Sequence, residues 1–194
     1  MKLILIISIA VFSLNCSDSS TVRAQSKYAG QEKREIKSLS PADIEQLKSG
    51  GGWGLAKAAE LNGWPGPAHI IEMKDKIGLS GKQLERIEKL YAEMKRSAVP
   101  LGERLIELEK AMDADFSDKS INSESLKSQL TEIAKVTADL RFVHLSAHLK
   151  TPVILSSEQI EKYNRLRGYG KGDPCKDVPA GHDPVLWKKH NNCG

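Results

Sequence analysis

Aromatic side chains are scarce in this chain: Phe, Trp and Tyr make up 5 % of its 194 residues. A core must therefore be assembled from Leu, Ile, Val, Met and Ala, as apolar stripes on helices. Charge of one sign is also in short supply. With 29 Lys and Arg against 25 Asp and Glu the formal charge is +4, an excess too small to recruit nucleic acid. Beyond the first apolar segment no run approaches the ~18 apolar residues of a membrane helix, so membrane contact is expected only through the N-terminus. Catalytic signatures are missing as well: there is no Gly-rich phosphate loop, no Gly-x-Ser-x-Gly elbow and no His-Glu-x-x-His pair. Carboxylates such as Glu107, Glu109 and Asp113 suit solvated helix positions better than acid/base work, so no enzyme is expected.

What is present begins with export. Lys2 precedes a short apolar run from Leu3 to Phe12, the pattern of a secretory signal over residues 1–15. Cys16 follows in Ser13-Leu14-Asn15-Cys16, where a lipoprotein signal places the cysteine that receives diacylglycerol, although Ser13 and Asn15 depart from the preferred flanks. Val22-Arg23-Ala24 offers a competing cleavage site that would release a soluble periplasmic chain. Removal of residues 1–15 takes away one Lys and leaves a charge of +3. Residues 16–38, rich in Ser, Gln, Lys and Glu, read as a disordered tether, and 39–169 as one helical domain.

Within that domain, Ser40-Pro41-Ala42-Asp43 predicts a capped helix that stops at Gly50-Gly51-Gly52. A short segment, Leu55 to Leu61, ends at Asn62-Gly63, and Trp64-Pro65-Gly66-Pro67 forces a turn before helical spacing resumes over residues 68–77. Leu79-Ser80-Gly81-Lys82-Gln83 is a capping box, in which the Ser80 hydroxyl accepts from the Gln83 N–H while the Gln83 side chain reaches back. Behind it Leu84, Ile87, Tyr91, Met94, Ala98, Leu101, Leu105, Leu108 and Met112 form an unbroken heptad stripe. Pro100 should bend this helix, because its ring leaves the Arg96 carbonyl without its usual donor. After a polar turn over residues 113–125 a second stripe runs Leu126, Leu130, Ile133, Thr137, Leu140, His144 and Ala147. Two long helices with a short link predict an antiparallel hairpin. Leu155-Ser156-Ser157-Glu158-Gln159 repeats the capping box and opens one more short helix, and residues 170–194 read as an irregular tail.

Two side-chain sets could hold a metal. His144-x-x-x-His148 places two imidazoles one turn apart on one helix face, a spacing able to chelate a divalent ion; His69-x-x-x-Met73 is a softer pair suited to copper. Against this, His144 lies on the heptad seam, where a hydrogen-bonded core histidine is the simpler reading. In an oxidising compartment Cys175 and Cys193 form an even pair whose default is a disulfide, worth roughly 3 kcal/mol by chain entropy. Zinc held by Cys175, Cys193, His182 and His190 is the alternative, although no Cys-x-x-Cys spacing supports it.

The paired Leu-Ser-x-x-Gln elements at 79–83 and 155–159, bracketing a long helical hairpin in an exported chain, resemble the paired Leu-Thr-x-x-Gln motifs of the Spy/CpxP family of periplasmic proteins. The segment from Gly54 to Pro67 resembles the lead-in of a subgroup described as refolding chaperones or periplasmic heavy-metal sensors. The resemblance covers roughly residues 40–169 and implies an all-α cradle, often a homodimer, that holds unfolded or misfolded envelope proteins without ATP or any required cofactor. Clients would then bind the stripe at Met94, Leu101 and Leu105, with Arg96 and Arg104 beside it. Some members of the family bind zinc, copper or nickel. Their pair on the late long helix lines up here with His144 and His148, while their N-terminal His pair has no counterpart.

Overall fold

A computed structural model describes residues 26–169, 175–176, 178 and 182–193. The chain divides into two units, 1–32 and 33–194. Of the first, only residues 26–32 are described: a turn in which the Ala29 N–H donates to the Ser26 carbonyl (2.9 Å) and that of Gln31 to Tyr28 (3.0 Å). Cys16, expected from the sequence to be acylated, and Ala24, the competing expected cleavage position, lie outside the described residues.

The second unit is all helical among its described residues: α1 (Pro41–Ser49), α2 (Lys57–Glu60), α3 (Pro67–Glu72), α4 (Lys74–Ile77), α5 (Gly81–Ser117), α6 (Ser123–Lys150), α7 (Ser157–Leu166) and α8 (Pro184–His190). Helix α1 starts where Ser40 and Asp43 cap each other and Pro41 needs no donor, and it stops at Gly50, whose φ of 67° suits glycine. Helices α5 and α6 pack along each other as the antiparallel pair that the heptad spacing requires. Pro100 lies inside α5, which continues through it.

Boundaries differ from the sequence expectation in four places. Helix α5 runs on through residues 113–117, because nothing there breaks it, and the turn narrows to 118–122, with Asn122 capping α6 through the N–H groups of Glu124 and Ser125 at 3.0 Å each. The segment 68–77 splits into α3 and α4 at Met73. The tail is not wholly irregular: Asp183 accepts from the Val185 and Leu186 N–H groups and Pro184 occupies the first position of α8. A disulfide joins Cys175 to Cys193, Cα atoms 5.4 Å apart. Finally, the tether ends before residue 38. Ile36 and Leu39 are buried, the Lys37 N–H and ammonium both reach the Asp113 carboxylate, and the Ser38 hydroxyl donates to Glu109 at 2.7 Å.

Three buried clusters run along the hairpin. The first joins Ile36, Leu39 and Leu47 to Ala98, Leu105, Val136 and Leu140. Ile70, Ile77, Ile87 and Tyr163 form the second, with Leu79 and Leu155 packed against it, and Leu90, Met94 and Ala147 the third. The short helices thus sit on the heptad stripe and cover it.

The two Leu-Ser-x-x-Gln elements meet. Each glutamine caps its own helix, accepting from the Ser80 or Ser156 N–H at 3.0 and 2.9 Å. Gln83 Nε2 donates to Gln159 Oε1 (2.8 Å) and to the Ile154 carbonyl (2.9 Å). Gln159 Nε2 returns the bond to Gln83 Oε1 (3.1 Å) and also reaches the Gly78 carbonyl (3.0 Å). This reciprocal amide pair ties the start of α7 to the start of α5. Replacing Gln83 and Gln159 by alanine, singly and together, is expected to give a coupling of about 1 kcal/mol in urea denaturation. Strict additivity would mean two independent caps and no clasp.

Candidate functional site

Between the loop 50–54, helices α2 and α3, and the hairpin lies a cavity of about 480 Å³, a size in the range of small-molecule sites. Its walls carry Trp53, Tyr91, Met94 and Tyr169, together with His69, His144, His148 and Arg167. The glycine-rich loop forms one side. Trp53 stands at φ 42°, a left-handed conformation that non-glycine residues rarely adopt, and two bonds hold it there. Its N–H donates to Gln46 Oε1 at 3.0 Å and its indole N–H to Asp43 Oδ1 at 2.9 Å. Hydrogen bonds from Ser40, and then that of Trp53, hold the Asp43 carboxyl below the usual range, so it stays a charged acceptor.

One part of the wall is a buried polar cluster. Glu60, only 9 % exposed, accepts on Oε1 from the Tyr163 hydroxyl and from Arg167 Nε at 3.2 Å. Arg167 Nη2 also donates to the Tyr169 hydroxyl at 3.0 Å, and its guanidinium lies 5.4 Å from the centre of that ring. Glu60 Oε2 is sealed from solvent without a hydrogen-bond partner among the described residues, 3.8 Å from His148 Nδ1. Burial, then the bond to Glu60, pushes the Tyr163 hydroxyl far above the ordinary tyrosine range, so it remains a donor.

The two histidines of α6 both reach this region. His148 Nδ1 lies 2.7 Å from the Trp64 carbonyl; a carbonyl only accepts, so Nδ1 carries the proton. A side chain on Gly66 would meet the same ring at 2.7 Å, which explains glycine between Pro65 and Pro67. His144 is 3 % exposed, and its Nε2 has no hydrogen-bond partner among the described residues. Burial, with a smaller contribution from His148, lowers its pKa and keeps the ring neutral.

His69 lines the cavity and pairs with Glu72 at 3.0 Å, and Met73 packs on the Ile70 cluster. Among the described residues no group of three or more His, Cys, Asp or Glu side chains is placed to hold a metal. The stripe expected to take clients is largely internal. Leu105 is buried and Leu101 packed in the first cluster, where residues 36–53 cover them, and Met94 is buried in the third cluster with Leu90 and Ala147. Arg96 is exposed, and Arg104 pairs with Glu107 at 3.2 Å. Apolar surface appears elsewhere, on α6 and the turn after it: Phe142 is 71 % exposed, Leu149 57 % and Val153 77 %. A spacing of seven puts Phe142 and Leu149 on one face of α6, and Val153 follows in the 3-10 turn Thr151–Val153.

Glu60 and Arg167 escaped the sequence reading, since a glutamate in a four-residue helix and an arginine at a helix end resemble any solvated pair. No helix among the described residues is long and apolar enough to cross a membrane. Compared with family models, with curated proteins and with solved structures, the chain matches none.

Proposed function

We propose that this protein is an exported, ATP-independent holdase or envelope-stress accessory protein of the Spy/CpxP type, anchored through Cys16 or released after Ala24, that binds unfolded envelope proteins. The observation that carries this reading is the exposed apolar face of Phe142, Leu149 and Val153, which replaces the covered stripe as the client surface. Exposed apolar patches of this kind mark protein-binding surfaces. A second copy docked on the same face would form the homodimer that the resemblance implies.

The test is aggregation of a chemically denatured client followed by light scattering. Wild-type protein is expected to suppress scattering near stoichiometry, and a Phe142→Ser, Leu149→Ser, Val153→Ser variant to lose that effect while keeping its helical signal, since all three side chains face solvent. No suppression by the wild type at excess would sink the reading. A second reading, binding of zinc, copper or nickel, is favoured by the partnerless His144 Nε2 one turn from His148. Calorimetric titration of wild type against a His144→Ala, His148→Ala variant decides it.

A further inference from the structure

The charge around the cavity points to a ligand that the client-binding reading does not involve. Glu60 is the one carboxylate among the described residues lining it. Its charge is balanced by Arg167: Oε1 takes the Tyr163 and Arg167 bonds, and Oε2 is buried without a hydrogen-bond partner among the described residues. The cations are placed differently. Arg167 leaves 29 % of its side chain exposed. Lys57 is exposed, and its Nζ lies 3.7 Å from where a Gly54 side chain would begin, against the glycine loop. A molecule inside therefore meets the Glu60–Arg167 ion pair, whose charges balance, and one further cation, Lys57, so the lining carries an excess positive charge that the low-dielectric aromatic walls of Trp53, Tyr91 and Tyr169 strengthen.

We infer that this cavity binds a small organic anion, a carboxylate on a flat apolar or aromatic body, with the carboxylate toward Lys57 and Arg167 and the body against Trp53, Tyr91 and Met94. The volume suits a molecule of this kind. Trp53 is held in its strained conformation by Gln46 and Asp43, so the aromatic wall is formed in advance and little ordering is needed on binding.

Matched probes separate charge from shape. Indole-3-acetate, 3-methylindole and tryptamine share one ring system and carry a carboxylate, a methyl and an ammonium group. Titration of the full chain by calorimetry, with the His144 and His148 imidazole resonances followed by NMR, is expected to show saturable binding of indole-3-acetate. Tryptamine is expected to bind about ten-fold or more weaker, with 3-methylindole between them. Lys57→Gln, at an exposed position, is expected to weaken indole-3-acetate several-fold without moving the thermal midpoint. Tryptamine binding as tightly as the acid, an unchanged affinity in Lys57→Gln, or no saturable binding of indole-3-acetate up to its solubility limit would each overturn the inference. None of these outcomes bears on client holding by Phe142, Leu149 and Val153, which the scattering assay reads separately.

Discussion

Replacing Gly102 by alanine is expected to destabilise the protein by about 3 kcal/mol, although the same change in an exposed helix interior would stabilise by about 1 kcal/mol. Gly102 lies in the middle of α5 and is buried. A methyl group there would collide with the Leu47 carbonyl oxygen and come within 2.8 Å of the carbonyl carbon. Both are backbone atoms at the end of α1, so no rotamer change relieves the contact. Either α1 moves off α5, and Leu47 leaves the first cluster with Ile36 and Leu39 beside it, or the long helix bends. Urea denaturation of Gly102→Ala checks this, with Gly81→Ala as control, since nothing lies within 4 Å of a side chain at that helical glycine. A Gly102→Ala protein as stable as wild type would show that α1 does not pack there.

The second large effect is expected at Tyr163, fully buried with its hydroxyl donating to the buried Glu60 carboxylate. Tyr163→Phe keeps the ring and removes the donor, which should cost about 2 kcal/mol, the usual value for a bond to a charged group. Tyr163→Ala also empties the centre of the second cluster and should cost about 4 kcal/mol. Arg167 still holds Glu60 Oε1 in the phenylalanine variant, so the fold should survive. The pH dependence gives an independent reading. Because the folded hydroxyl holds its proton far above the unfolded value of 10.0, the unfolded chain loses that proton first as pH rises. Tyr163 thus contributes stability that is fully present below pH 10 and declines above it, a slope Tyr163→Phe should lack. Equal stability of wild type and Tyr163→Phe at neutral pH would mean that the bond to Glu60 adds nothing.

The covered stripe changes where function is sought. Read in sequence, Met94, Leu101 and Leu105 are a free apolar seam; in the structure residues 36–53 already lie on Leu101 and Leu105, and Met94 is buried with Leu90 and Ala147 between the long helices. Burying that seam is worth more than leaving it wet, so the chain covers most of it with its own residues. The surface left over, Phe142, Leu149 and Val153, falls outside the heptad stripe. No periodicity argument selects it, because it is defined by what the rest of the chain does not cover.

Local chemistry was legible from residue order alone. Ser40, Ser80 and Ser156 announce helices because a hydroxyl three residues ahead of a carboxylate or amide satisfies orphan N–H groups wherever the chain goes, and heptad spacing sets two long helices side by side by geometry alone. Asp183-Pro184 carried a signal of the same kind for α8. The capping boxes were thus read as two separate helix starts. What brought Gln83 within 2.8 Å of Gln159, Leu47 onto Gly102, and Glu60 between Tyr163 and Arg167 was tertiary packing, which joins residues 76 or more apart in two of these three cases. Those contacts depend on burial, and burial is a property of all the elements together: it made a neutral His144, paired the Glu60 carboxylate with Arg167 at the cavity, and left Lys57 as the excess charge on its lining.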